Sequence, residues 1–369
     1  MIPTKLAQEM GLTVPVFAFS RSREVVAAVS RAGGMGVLGA IAHTPEQLDA
    51  DCAWLDEATG GAPYGVDTVM PQSYAGKGED WDEAKLAAMI SEAHHAFVER
   101  LLQRHGVPEL PADYVRRGQD VLGWSVERGM EHLEVALRHR VSLIANALGT
   151  PPAEAIDRAH AAGVKVAALC GKVDQARGHA AAGVDIIVAQ GTEAGGHTGE
   201  IATMVLVPEV VDAVGGRPVL AAGGIGTGRQ LAAALCLGAQ GAWTGSIWLT
   251  TAEHVSYHPQ VVLDRLLEAG SGDTVRSRAI SGKPARQIRN AWTDAWESKE
   301  SPGTLPVPLQ WMVQAKAVER IYHAGCKPLA CSPVGQIVGR MNTIRPAGEL
   351  VAEMGAEAAA VLARLGGGA

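Results

Sequence analysis

Short apolar runs rich in β-branched residues alternate with Ala/Leu-rich segments along most of this chain, and no other feature constrains its fold as tightly. The runs are Val14–Phe19, Gly36–Ile41, Tyr64–Met70, Val141–Asn146, Val164–Cys170, Val184–Gln190, Pro218–Ala222 and Gly241–Ile247. Near-continuous apolar strands, without polar alternation, belong to parallel sheets covered by helices on their outer face. Between them, Val25, Ala28, Val29 and Ala32 recur at helical spacing before Gly33-Gly34, and Leu231, Ala234 and Leu235 do so before Gly238. Eight strand–helix repeats predict an α/β fold, a (β/α)8 TIM barrel, whose active site sits at the C-terminal ends of the strands. An open doubly wound sheet would want a glycine-rich fingerprint after its first strand, where this chain has Ala18-Phe19-Ser20-Arg21.

Two regions fall outside the repeat. Residues 71–140 form an insertion after the third strand, with Met89, Ala93, Phe97 and Leu101 as one helical stripe and Leu133 with Leu137 as another. The insertion can cover a mouth of the barrel, or pack against the outer helices or a sister subunit. Residues 291–369 form a C-terminal extension, with an irregular Ser301–Pro308 link and an amphipathic helix Glu349–Leu365 carrying Leu350, Met354, Leu362 and Leu365. The expected organisation is a barrel over 1–290, interrupted at 71–140, with 291–369 packing back on it.

Composition removes several functions. A net charge of −7 and 4% aromatic residues give nucleic acid neither a basic surface nor stacking platforms. No apolar run approaches the roughly 18 residues of a membrane span, and the N-terminus lacks the pattern of an export signal. The five cysteines are scattered; only Cys326 and Cys331 lie close, with no histidine pair at metal spacing. The expectation is a soluble cytoplasmic protein with reduced thiols and no metal, acting on a small molecule, with a homo-oligomer open.

The 44 glycines cluster where chemistry would be. The seventh run ends in Ala222-Gly223-Gly224-Ile225-Gly226-Thr227-Gly228 before a helix, and the eighth in Trp243-Thr244-Gly245-Ser246. In barrels, the loops after strands seven and eight are the common phosphate site, because glycine lets the backbone approach and a helix N-terminus offers N–H groups. The sixth run ends in Gln190-Gly191-Thr192-Glu193-Ala194-Gly195-Gly196-His197-Thr198-Gly199. A glycine-flanked histidine there reads as a flexible, close-approach loop carrying a proton-handling group, His197. A structural or substrate-orienting role is the alternative.

Gln190–Gly199, Ala221–Gly228, Gly245-Ser246 and the early Ala32-Gly33-Gly34-Met35-Gly36 together resemble the nitronate monooxygenase (2-nitropropane dioxygenase) family, to which flavin-dependent enoyl-thioester reductases are related. The resemblance covers about residues 12–70 and 141–295 and implies an FMN-containing barrel. By matching position it implies that His197 is the active-site histidine, that Gln190 and Gly195 contact the flavin, and that Gly224 holds its phosphate; Gly196 and Gly223 are counted with the cofactor-binding residues. Trp243, Thr244, Gly245 and Ser246 would complete the phosphate and ribityl site. This chain departs from the family pattern at Ala18-Phe19-Ser20, where a methionine is usual, at Asp67, where an asparagine usually touches the flavin, and at Trp243, where glutamine is common. Ala18, Ser20 and Asp67 are nevertheless assigned to the cofactor surface. The activity implied is oxidation of alkyl nitronates by O2 to a carbonyl compound and nitrite. The alternative is an NAD(P)H-dependent reductase of enoyl thioesters or quinones on the same flavin, suggested by Thr203-Met204 with Leu206-Val207-Pro208. A non-enzymatic flavin-binding role stands behind both.

Arg276, Arg278, Lys283, Arg286 and Arg289 place five positive charges within Thr274–Asn290, where Gly282–Arg286 matches a run common in the family. They can form a solvated face, a subunit contact with structural ion pairs, or a seat for phosphates of a coenzyme A thioester or nicotinamide cofactor.

Overall fold

The computed structural model describes residues 2, 4–72, 83–114, 125–330 and 332–366. Eleven strands are numbered along the chain: β1 (Val16–Ser20), β2 (Met35–Gly39), β3 (Tyr64–Val69), β4 (Leu143–Ala147), β5 (Lys165–Cys170), β6 (Ile186–Gln190), β7 (Gly196–His197), β8 (Val219–Ala222), β9 (Gly241–Thr244), β10 (Thr274–Ser277) and β11 (Ala285–Ile288). All eight apolar runs are parallel strands of one closed barrel, in the order β1-β2-β3-β4-β5-β6-β8-β9. Closure is made by β1 on β9, with Phe17 opposite Trp243.

The period-2 alternation of strand side chains sorts these apolar residues into two layers. Phe17, Val37, Leu143, Ala145, Ile186, Val188, Leu220 and Trp243 fill the barrel interior. Val16, Ala18, Leu38, Val66, Ile144 and Ile187 point outward into the layer beneath the helices. The N-terminal helix Lys5–Glu9 closes the bottom, where Thr4 Oγ1 donates to the Gln240 carbonyl and Gln240 Oε1 accepts from Leu6 N, both at 2.8 Å.

The insertion and the C-terminal extension meet over the opposite mouth. Within the insertion, helix Glu92–Arg104 buries His94, Phe97, Val98, Leu101 and Leu102. The expected stripe is therefore half right. Ser91 caps this helix, so Met89 precedes it and is 59% exposed, while Ala93 faces outward. Helix Val126–Ala136 buries Leu133, with Leu137 partly buried at its C-cap. The rest of the 71–140 prediction, residues 73–82 and 115–124, lies outside the described residues, as does Cys331.

In the extension, Phe97 packs edge-on against Trp296 at 4.9 Å between ring centroids, joining the insertion to helix Ala291–Trp296. Arg320, on helix Leu309–His323, is 4% exposed; it bonds Glu99 at 2.6 Å and Glu109 at 3.0 Å. The terminal helix runs Ala347–Gly366 and buries Val351, Met354 and Ala358, whereas Leu365 is exposed. It docks on helix Gly228–Cys236, where a Cβ on Gly228 would come within 2.5 Å of Ala358 N and Met354 O. Gly228 thus serves helix packing rather than a ligand.

Candidate active site

A cavity of about 2780 Å³ opens above the C-terminal ends of the barrel strands. Its floor comes from strand ends, and its upper walls from the insertion (Ile90, Tyr114) and from helix Leu309–His323 (Trp311, Met312, Tyr322). It exceeds the roughly 300–1,000 Å³ common for small-molecule sites, leaving room for a cofactor and a substrate together.

Ser20, Asp67, Gln190, Gly195, Gly196, His197, Gly223, Gly224, Trp243, Thr244, Gly245 and Ser246 all line this cavity. Ala18 does not. It is fully buried in the outer layer between β1 and the helices, and its neighbour Phe19 takes the inward position and lines the cavity. Strand alternation assigns the two residues to opposite faces, so Phe19 takes the place expected of Ala18, beside Ser20 at the strand's end.

The glycine-rich turns form a cradle. Gly223 has φ +104° and Gly224 φ +71°, a left-handed pair that L side chains rarely adopt. A Cβ on Gly223 would also lie 3.0 Å from Ala194 N and from Thr203 Oγ1. Beside them, Ser246 Oγ accepts from Gly335 N at 2.8 Å, tying the C-terminal segment to the cradle. Gly195 meets the same segment, because a Cβ there would be 2.7 Å from Gly335 N. Thr244 is less available: its hydroxyl donates to the Phe17 carbonyl at 3.3 Å.

His197 is not on a flexible loop. With Gly196 it forms β7, which pairs antiparallel with β11 so that His197 faces Ala285 and Gly196 faces Arg286. The ring shares a 2.7 Å hydrogen bond between Nε2 and Ser281 Oγ, and Ser281 is 1% exposed. Enclosure by the cavity walls, with help from the nearby Lys283 ammonium, lowers its pKa to about 4. At neutral pH the imidazole is uncharged.

The basic run is divided rather than gathered. Arg286 donates to the Thr192 carbonyl at 2.6 Å and to Thr274 Oγ1 at 3.0 Å, bracing the loop that carries His197. Arg276 pairs with Glu200 at 3.2 Å, Arg289 with Asp294 at 2.9 Å, and Arg278 donates to the Gly282 carbonyl. Only Arg276 and Lys283 of the five line the cavity. Arg276 and Arg289 are thus in ion pairs, Arg278 and Arg286 brace backbone and hydroxyl oxygens, and Lys283 and Arg276 border the cavity.

Other cavity residues went unanticipated. Ser20 Oγ accepts from Ser22 N at 3.1 Å and lies 3.2 Å from His254 Nδ1. Burial lowers His254 to about 3 and His258 to about 4, with Arg21 adding to both shifts. Arg21 itself projects into the cavity, where desolvation lowers its pKa. Sequence offered no signal for Ser281 or His254, which reach the site from segments far along the chain.

Asp67, at the cavity end of β3, is 6% exposed, and its Oδ1 is buried without a hydrogen-bond partner. Burial raises its pKa to about 7. A glycine cradle that a Cβ would obstruct, and an unpartnered carboxyl oxygen on the same cavity, suit an elongated cofactor with a phosphate at one end and polar edges at the other. Among the described residues no group of three or more His, Cys, Asp or Glu is arranged to hold a metal, and no helix is long and apolar enough to cross a membrane.

A closed barrel with glycine-rich turns after β8 and β9, and an uncharged histidine on the same cavity, has the architecture of a barrel enzyme whose site lies at the C-terminal strand ends. The nitronate monooxygenase family profile matches residues 11–357, and the chain belongs to that family. Its members are flavin-dependent oxidoreductases, and so is this enzyme. It is 51% identical over 358 residues to Mycobacterium tuberculosis Rv1533, a monooxygenase by description only, covering 95% of both chains. It is 29% identical over 367 residues to a Staphylococcus aureus (strain Newman) protein described as a probable nitronate monooxygenase, covering 95% of this chain and 96% of that one. Among solved structures, the nitroalkane oxidase of Streptomyces ansochromogenes superimposes with a TM-score of 0.80 at 27% identity, over 97% of this chain and 99% of that one. FabK from Thermotoga maritima shares the fold, with a TM-score of 0.73 at 24% identity, over 100% and 99% of the two chains.

Proposed function

We propose that the protein binds FMN and oxidises alkyl nitronates with O2 to a carbonyl compound and nitrite. The observation that carries this reading is His197, an uncharged imidazole held by Ser281 beside Lys283 on a cavity with a phosphate cradle. Gly223, Gly224, Gly245 and Ser246 would hold the phosphate, and Phe19, Asp67, Gln190, Gly195 and Trp243 would surround the rest of the cofactor. Bound there, the flavin supplies electron transfer and the reaction with O2. Lys283 and Arg21 favour entry of an anion, which a nitronate is and a neutral nitroalkane is not.

Protonation at His197 separates the two substrates. Ser281 Oγ is 2.7 Å from Nε2 and 3.5 Å from the Lys283 carbonyl, so its hydroxyl proton is better donated to the ring. In that tautomer Nδ1 carries the ring proton, which makes His197 a hydrogen-bond donor rather than a base. A base with a pKa of about 4 is poorly matched to removing an α-proton at neutral pH, so a preformed nitronate is the better substrate.

The test is anaerobic. FMN-loaded protein is mixed separately with propyl-2-nitronate, NADH and NADPH, and the flavin absorbance is followed. Bleaching by the nitronate alone is expected. Bleaching by NADH or NADPH without response to the nitronate would overturn the reading in favour of an enoyl-thioester or quinone reductase.

A further inference from the structure

The barrel's strand order places Asp67 across the mouth from the phosphate cradle. Around the ring β1-β2-β3-β4-β5-β6-β8-β9, β3 stands diametrically opposite β8, which ends at Gly223-Gly224. A flavin held by its phosphate at that cradle and extended across the mouth would have its redox-active ring on the β3 side. There it would meet a carboxyl group with one buried oxygen that no described residue satisfies. Resting on the flavin-binding reading above, we propose that Asp67 is a redox-linked proton acceptor, taking up one proton from solvent when the flavin beside it is reduced.

The groups around Asp67 leave this role to it. Its strand partners are Gly39 of β2 and Ala145 of β4, and neither strand carries a titratable residue. The helices packed on β3 bear Arg23, Glu24, Arg31, Glu127, Arg128, Glu131, His132 and Glu134. Arg21, Lys172, His197, His254 and Lys283 border the same cavity. None of these charges perturbs Asp67; its shift comes from burial alone. At a fixed pH above neutrality, a carboxyl so placed changes charge when the charge beside it changes. Two electrons and one proton delivered to the flavin leave one negative charge on it. An ionised Asp67 next to that charge is disfavoured, so its carboxylate binds a second proton and the pair returns to its original net charge. The electrons come from the substrate or, in the test, from dithionite.

The experiment is a potentiometric titration of the FMN-loaded protein between pH 5.5 and 8.5, beside Asp67→Asn. At the acid end Asp67 is protonated before and after reduction, so the two proteins should have similar potentials. Above neutrality the wild-type potential should fall more steeply, by one extra proton per two electrons, and lie below that of the variant. At pH 8, anaerobic dithionite reduction should draw one more proton from an indicator dye in wild type than in Asp67→Asn. Should the variant not hold FMN, the infrared difference spectrum of reduced minus oxidised wild type at pH 8 carries the same information, because a protonated-carboxyl C=O band must appear on reduction. Parallel pH slopes with equal proton uptake, or no such band, overturn the inference while leaving flavin binding intact. A protein that binds no FMN at all would instead sink the functional reading on which it rests.

Discussion

His197 owes its chemistry to a residue 84 positions away. The 2.7 Å bond to Ser281 fixes the ring, and Ser281 is in turn held in the turn before β11, where Gln310 donates to the Ala279 carbonyl at 3.1 Å and Gln314 to the Ile280 carbonyl. His197→Asn removes the imidazole while keeping β7 paired, since the backbone makes the ladder. It should retain FMN and lose about 10²–10⁴-fold in nitronate turnover, measured as oxygen uptake by protein with its flavin content checked. Near-wild-type turnover would exclude His197 from the chemistry. Ser281→Ala leaves the ring present but unoriented, so a smaller loss is expected, about tenfold in kcat with little change in KM. Its pH–rate profile should also move, because the ring loses the partner that selects its tautomer. His197 was legible in the sequence from its glycine flanks at a strand end. Ser281 was not, because nothing local marks a serine that the β7–β11 pairing will carry to a histidine. Ala18 illustrates a finer limit: a strand was correctly found, but the inward face depends on a register that the apolar run Val14–Phe19 leaves undefined, since both of its faces are buried.

Elements that bury a continuous apolar run were legible, and those that hold the site by polar contacts were not. β10 and β11 read Thr-Val-Arg-Ser and Ala-Arg-Gln-Ile, with no alternation, and β11 buries Arg286 and Gln287 completely enough that a hydropathy pattern points elsewhere. Their charges suggested a ligand surface, whereas Arg286 is bound to Thr192 and Thr274. The junction of insertion and extension is similar. Arg320 donates to the Val107 and Pro108 carbonyls and pairs with Glu99 and Glu109, all from a segment more than 200 residues earlier. Arg320→Met should destabilise the protein by about 2–3 kcal/mol. The variant leaves two carbonyls without their charged donor, while Glu99 and Glu109 are exposed enough to regain water. The check is the urea midpoint, with limited proteolysis expected to cut first within residues 92–114. An unchanged midpoint would mean that this ion-pair cluster contributes nothing to seating the insertion over the mouth.

Across the molecule, the net charge of −7 conceals a cavity in which burial works against the charged forms of three histidines and one carboxyl group. Burial lowers His197 and His258 to about 4 and His254 to about 3, and raises Asp67 to about 7. The histidines contribute stability that is fully present above the unfolded-state pKa of about 6.5 and is lost as pH falls toward 4, because the unfolded chain then binds more protons than the folded one. Asp67 acts with the opposite sign. Its raised pKa contributes stability that is fully present below about 4, the unfolded carboxyl value, and is lost as pH rises through 7. Three groups outweigh one, so the cofactor-free protein should lose stability on acidification from pH 6.5 to 4.5, seen as a falling urea midpoint. Asp67→Asn then reports on the balance. At pH 8 it should be more stable than wild type, having no carboxylate to bury, and below pH 6.5 it should lose stability more steeply, having lost the one cavity group that opposes the histidines. FMN should leave the direction of the histidine effect unchanged while raising stability at every pH, because it binds only the folded barrel. A variant no more stable than wild type at pH 8 would show that Asp67 finds a partner in solution, and its buried, unsatisfied oxygen could not then be the origin of its raised pKa.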